Sequence, residues 1–166
     1  MIKVGQTIPD ATFFRFVDGE VTRTDAQELF AGRKVLVIGV VGAFTPVCGV
    51  SHLPEYIPLV EAFQEHGDVD RIVCLCAADP FVMAAWANEL GINHDRIAML
   101  TDNNADFAET CGLAVDLGGI GLARRSNRYS MVVRDRVLES LTVEETPYDV
   151  DVTSAGNMLD TVSRAA

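Results

Sequence analysis

Two unbroken apolar runs, "KVLVIGVV" from Lys34 and "RIVCLCAA" from Arg71, decide most of what this chain can become. The first is rich in β-branched residues and predicts a strand covered on both faces, and the second, equally without polar alternation, predicts a second central strand. "RIAMLTD" reads as a third strand of the same kind. Around these, "DATFFRFVDGEVTRTD" predicts two short strands about an Asp18-Gly19 turn. Thr24 is placed as N-cap of a short helix through Phe30, closed by Gly32.

A helix is expected over 47–66, kinked near Val50 because Pro54 lacks an N–H and its ring clashes with the preceding turn. "DPFVMAAWANELG" carries a full set of helix signals: Asp79 as cap, Pro80 at the first helical position and Gly91 as stop. "NADFAETCG" predicts a short helix ending at Gly112, and "RYSMVVRDRVLESLTVE" a hairpin. "TSAGNMLDTVSRA" predicts a closing helix capped at Thr153 or Ser154. Strands that alternate with helices and end in a hairpin imply an α/β chain. The expected architecture is a thioredoxin-like fold, a central mixed β-sheet flanked by helices, with an N-terminal β-hairpin. With no repeat or linker visible, residues 1–166 are expected to form a single domain.

The charge balance narrows the function classes. Acidic residues outnumber basic ones 24 to 13, a formal charge of -11. Such a field repels phosphate backbones and anionic lipid, so neither nucleic acid nor membrane is an expected partner. The longest apolar stretch, around 35–44, is too short to span a bilayer, and no basic segment with an apolar core opens the chain. A cytoplasmic protein is expected. The four cysteines, at 48, 74, 76 and 111, form no CxxC pair. In a reducing compartment they are buried small hydrophobes, metal ligands or redox groups.

Cys48 is the most informative of them. In "GAFTPVCGVSHLPEY" it falls where a helix begins, among unpaired N–H groups and the positive end of the helix dipole, and both favour thiolate over thiol. That alone accelerates little, because a more stable thiolate is also a weaker nucleophile. A fast thiol enzyme must also stabilise charge on the leaving group, where one placed donor contributes about 100-fold or more. Thr45 lies on the same turn, and Pro46 stiffens it. An arginine, whose planar fork can hold two oxygens, is the natural second partner, and "GLARRSNRYSMVV" offers Arg124, Arg125 and Arg128. A metal site using Cys48, Cys74, Cys76 or His52 is the rival, although the usual second pair of ligands is missing.

Taken together, "GAFTPVCGVSHLP", "AADPFVMAAWA" and "RSNRYSMVV" resemble, in order, the signature segments of type II (atypical 2-Cys, peroxiredoxin 5-like) peroxiredoxins. The resemblance implies a thiol-dependent peroxidase for hydrogen peroxide and organic hydroperoxides, with no metal or flavin cofactor. It implies that Cys48 is the peroxidatic thiolate, which becomes a sulfenic acid. Thr45 then hydrogen-bonds thiolate and peroxide, Pro46 shields the site from water, and Arg128 orients the peroxide and keeps the sulfur ionised. Arg124 and Arg125 become loop charges or carboxylate partners.

His52, four residues after Cys48, is expected to support the site rather than act as base. Cys74 stands where plant-like members carry a resolving cysteine. The C-terminal "TCS" of animal-like members has no counterpart in "VDVTSAGNM". The alternative is an external thiol: glutathione, glutaredoxin or thioredoxin. The resemblance also implies a homodimer, with Phe44, Phe81 and Trp86 as candidate contacts. A redox sensor or a general thiol–disulfide exchanger remains an alternative reading of the same sulfur.

Overall fold

The computed structural model describes residues 1–164. The chain runs β1 (Thr12–Val17), β2 (Glu20–Asp25), α1 (Ala26–Phe30) and β3 (Lys34–Val40), then a broken helical stretch that ends in α2 (Leu53–Tyr56) and α3 (Val60–Gly67). It continues through β4 (Arg71–Cys76), α4 (Pro80–Glu89), β5 (Ile97–Thr101), α5 (Asp106–Thr110), β6 (Ala114–Asp116) and β7 (Arg124–Ser126). The hairpin of β8 (Tyr129–Arg134) and β9 (Val137–Val143) and the helix α6 (Ala155–Arg164) close it. Seven strands form one mixed sheet in the order β2-β1-β5-β4-β3-β8-β9, with β3, β4 and β5 parallel. This is the expected thioredoxin-like arrangement, N-terminal hairpin included.

Alternation along the central strands feeds two cores. Leu36, Ile38 and Val40 of β3, with Ile72, Cys74 and Cys76 of β4, pack against Tyr56, Phe63, Trp86 and Met158 on one face. Val35, Val37, Val73 and Leu75 pack against Leu29, Phe30 and Phe107 on the other. Strands buried on both faces need no polar alternation, which is why the two runs read as solid apolar blocks. Cys74 and Cys76 therefore face the same layer as Cys48. Among the described residues no helix is long and apolar enough to cross a membrane.

Three local expectations need correction. The expected helix over 47–66 is four pieces: a π-helical turn Val47–His52, α2, a 3-10 turn Ile57–Leu59 and α3. Pro54 alone does not explain this. Pro58 removes a second N–H four residues on, so no α-helical hydrogen-bond ladder can run through both. The Leu53 N–H reaches back five residues to the Cys48 carbonyl, which sets the π geometry. In α1 the N-cap is Asp25, not Thr24. Asp25 accepts from the Glu28 N–H at 2.8 Å while Glu28 returns a bond to the Asp25 N–H. Finally, β6 and β7, joined by a glycine-rich connection, pair as a small second sheet of three residues each, too short to show a strand pattern in sequence.

At Gly39 the absence of a side chain is a packing requirement. A Cβ there would sit 2.0 Å from the ring of Tyr129, its antiparallel partner on β8. The ring lies across β3 where any other residue would project. That close approach fixes the start of β8 against the end of β3, and the residue before Tyr129 is Arg128.

Candidate active site

Each residue of the site is delivered by one of these elements. β3 ends at Val40, and the following turn is closed by the Thr45 hydroxyl, which donates to the Gly42 carbonyl at 2.8 Å. Phe44 holds a left-handed φ of 62°, a conformation costly for a non-glycine residue and characteristic of constrained functional turns. The π-helical turn then carries Cys48 into the interior, fully buried. Single π turns inside helices are frequent at functional sites, because they re-aim one side chain at the loss of regular bonding.

Arg128 comes from the opposite direction, one residue before β8, and only 1% of it is exposed. Its Nη1 donates to Cys48 Sγ at 3.2 Å and to His52 Nδ1 at 3.0 Å. Nη2 donates to the Pro147 carbonyl at 2.7 Å, and Nε has no protein partner. Burying a guanidinium costs several kcal/mol unless it is paired. Among the described residues no carboxylate forms a salt bridge with it, so the Cys48 sulfur is the touching group able to carry a balancing negative charge.

Both ring nitrogens of His52 are in use. Nδ1 accepts from Arg128, so the ring proton sits on Nε2, which donates to the Thr153 carbonyl at 3.2 Å. Burial and the neighbouring Arg128 charge push its pKa down to about 4. His52 thus contacts the arginine rather than the sulfur. Its titration predicts an acid sensitivity. Between pH 6.5 and 4 the unfolded chain binds a proton that the native ring refuses, so stability is present above about pH 6.5 and falls as pH drops. In denaturant melts at pH 7 and pH 4.5, His52→Gln should lose about 2–3 kcal/mol less than the native chain over that step.

Thr45 corrects part of an expectation. Its one proton goes to Gly42, so it does not donate to the sulfur, and its lone pairs remain free to accept. Thr45, Pro46, Val47 and Arg128 line a cavity of about 150 Å³, whose remaining walls are largely apolar, with Leu117, Ile120 and Tyr148 among them. The other thiols sit in a different electrostatic setting. Burial pushes Cys74 well up and Cys76 and Cys111 up to about 12, and all four cysteines are free.

The other two arginines are placed away from the sulfur. Arg124 pairs with Glu109 at the surface, and Arg125 bonds the Leu122 and Ala77 carbonyls, pinning the β6–β7 hairpin to the end of β4. Of the candidate dimer aromatics, Phe44 and Phe81 are exposed, but Trp86 is buried and unavailable to a second copy. The residues that sequence reasoning missed are the backbone acceptors Pro147 and Thr153 and the buried Glu144 behind them. Their stretch, "EETPYDVDVTS", has neither helical nor strand periodicity and, beyond the cap read at Thr153 or Ser154, gave no sign of these contacts.

Comparison with known proteins identifies the family. The Redoxin family model matches residues 3–159. Peroxiredoxin-2E-2, chloroplastic, of Oryza sativa subsp. japonica is 39% identical over 87% of this chain, which spans 65% of that relative's length. Peroxiredoxin-2C of Arabidopsis thaliana is 33% identical over 95% of this chain and 96% of its own. The crystal structure of reduced Prx3 from Vibrio vulnificus in complex with hydrogen peroxide superposes with a TM-score of 0.90. It is 37% identical and covers 98% of this chain and 99% of its own. The chain therefore belongs to the redoxin family and, within it, to the peroxiredoxins.

Proposed function

We propose that the protein is a thiol-dependent peroxidase in which Cys48 attacks the terminal oxygen of hydrogen peroxide or an organic hydroperoxide. The single observation that carries this reading is the buried Arg128 guanidinium, 3.2 Å from Cys48 Sγ, with Nε left unpartnered. Sulfur donates an electron pair to the terminal oxygen as the O–O bond breaks. Cys48 becomes a sulfenic acid, and the departing alkoxide or hydroxide takes a proton from water to leave as alcohol or water.

Thr45, its own proton committed to Gly42, accepts the terminal O–H and turns that oxygen toward the sulfur. The free N–H of Arg128 meets charge growing on the leaving oxygen, an interaction strongest in the transition state. Pro46 and the apolar wall keep competing water out, which strengthens these bonds. No metal or organic cofactor is required, since the sulfur supplies the two electrons and the weak O–O bond accepts them as it breaks.

For return of the sulfur to its reduced state, the reading best supported is an external thiol. One thiol condenses with the sulfenic acid to give a mixed disulfide and water. A second displaces Cys48 and leaves as a disulfide. Cys74 is the alternative, but it lies in the middle of a strand bonded on both sides, paired with Ile38 and Met99, and burial keeps its thiol protonated. A disulfide needs Cα atoms within about 7 Å, and this one would have to join a sulfur held in a bonded helical turn to one held in a strand bonded on both sides. Glutathione, glutaredoxin and thioredoxin are the reductants to compare.

Stopped-flow oxidation followed by intact mass tests both parts. We expect one equivalent of peroxide to oxidise Cys48 far faster than free cysteine and to add one oxygen. A loss of two hydrogens that disappears in Cys74→Ser would instead assign the resolving role to Cys74. Oxidation no faster than that of a free thiol would remove the peroxidase reading itself.

A further inference from the structure

Residues 144–154, between β9 and α6, supply the two backbone carbonyls on which the site leans. The Pro147 carbonyl takes Arg128 Nη2–H at 2.7 Å. The Thr153 carbonyl takes His52 Nε2–H at 3.2 Å and also the hydroxyl of Tyr56. A connection without regular structure keeps a carbonyl in place only where its backbone is tied down. Here the tie is a buried carboxylate. Glu144 Oε1 accepts from the Asp151 N–H at 2.8 Å, the Thr153 N–H at 2.8 Å and the Thr153 hydroxyl at 2.7 Å.

Burial works against the charge of Glu144, yet the bonds from residues 151–153 prevail and hold its carboxyl below the usual range. Its own backbone N–H donates to the Arg128 carbonyl at 3.0 Å. One residue thus touches the arginine's main chain and, through the loop it closes, both acceptors that aim the arginine and the histidine. Bonds to an ionised acceptor are short and roughly twice as strong as neutral ones, which suits a clamp.

We propose that Glu144 is a positioning residue for peroxide reduction. By closing the 144–153 loop it sets the Pro147 and Thr153 carbonyls, and through them the direction in which the Arg128 fork meets Cys48 and the peroxide. The proposal rests on the roles given above to Cys48 and Arg128. Its effect falls on the geometry of the donors and not on access to the sulfur, so two reactions of the same sulfur should respond differently. Peroxide needs the fork aligned on both oxygens, whereas alkylation by iodoacetamide, a small neutral electrophile, needs the ionised sulfur and the nearby Arg128 charge but no donor aimed at a leaving oxygen.

The test compares both second-order rate constants in the native protein, Glu144→Ala and Glu144→Gln. Misplacement of aligned groups by about 1 Å can cost 100-fold. We expect Glu144→Ala to slow oxidation by hydrogen peroxide about 30-fold, with alkylation of Cys48 changed by less than about threefold. Glu144→Gln, which keeps the Oε1 acceptor, should recover most of the loss. In an Arg128→Lys background, where the fork is gone, Glu144→Ala should add little.

A peroxide rate within twofold of native in Glu144→Ala overturns the proposal. So does an equal fall in both reactions, or an undiminished effect in the Arg128→Lys background. Should Glu144→Ala fail to fold, Thr153→Val removes one of the three bonds from the far side. Peroxide oxidation about threefold slower with unchanged alkylation is then expected, and an unchanged peroxide rate overturns the proposal. Slow oxidation of the native protein would refute the peroxidase reading, an outcome distinct from any of these.

Discussion

Arg128→Ala should lower the second-order rate constant for hydrogen peroxide by 100- to 1,000-fold, the effect of removing a donor aimed at developing charge, about 3–4 kcal/mol. Three contacts vanish together: the 3.2 Å bond to Cys48 Sγ, the 3.0 Å bond to His52 and the 2.7 Å bond to the Pro147 carbonyl. Arg128→Lys separates charge from shape. It keeps the cation but loses the planar fork, so a rate between native and alanine is expected. The measurement is stopped-flow oxidation with Cys48→Ser as the blank, since a serine oxygen cannot be oxidised by peroxide. If Arg128→Ala reacts within twofold of native, the donors lie elsewhere and the mechanism above is wrong. Circular dichroism should accompany it, because the vacated space leaves the Pro147 carbonyl without its donor.

Gly39→Ala should be the most damaging single methyl in the protein. The new carbon would sit 2.0 Å from Tyr129 Cε1 and 2.3 Å from two further ring atoms, far inside contact distance. The ring has nowhere to go, for Tyr129 is buried and its strand is bonded to β3 and β9. Overpacking of this kind costs about 1–3 kcal/mol and occasionally more, and here two central strands must part to relieve it. We expect a loss of at least about 3 kcal/mol in urea melts, or failure to fold at 37 °C. Because Arg128 precedes Tyr129, any folded fraction should also react more slowly with peroxide. A melt within 1 kcal/mol of native would show that β3 and β8 yield more easily than their packing implies.

The sequence made the central strands legible because burial on both faces writes itself as an unbroken apolar run. It made Cys48 legible because a cysteine opening a helix after Thr-Pro has few structural uses. What could not be read is partnership. Cys48 and Arg128 are 80 residues apart, joined only by the β3–β8 register that sets Gly39 against Tyr129. The face of α4 was equally hidden, since "PFVMAAWANE" is apolar on more than one side and Trp86 could not be assigned to core or surface. Loop carbonyls such as those of Pro147 and Thr153 leave no trace at all, because every residue has one. Thr45 was identified by type, but the direction of its proton depended on where the Gly42 carbonyl pointed.

The two prolines in the broken helical stretch carry a consequence for how the oxidised sulfur is reached. An uninterrupted α-helix over 47–66 would melt cooperatively, and exposing its first turn would strain the whole rod. With Pro54 and Pro58 cutting the ladder, the turn bearing Cys48 can fray as a small unit while α3 stays docked on α6. Amide exchange should then show residues 47–53 opening at much lower free energy than 60–67.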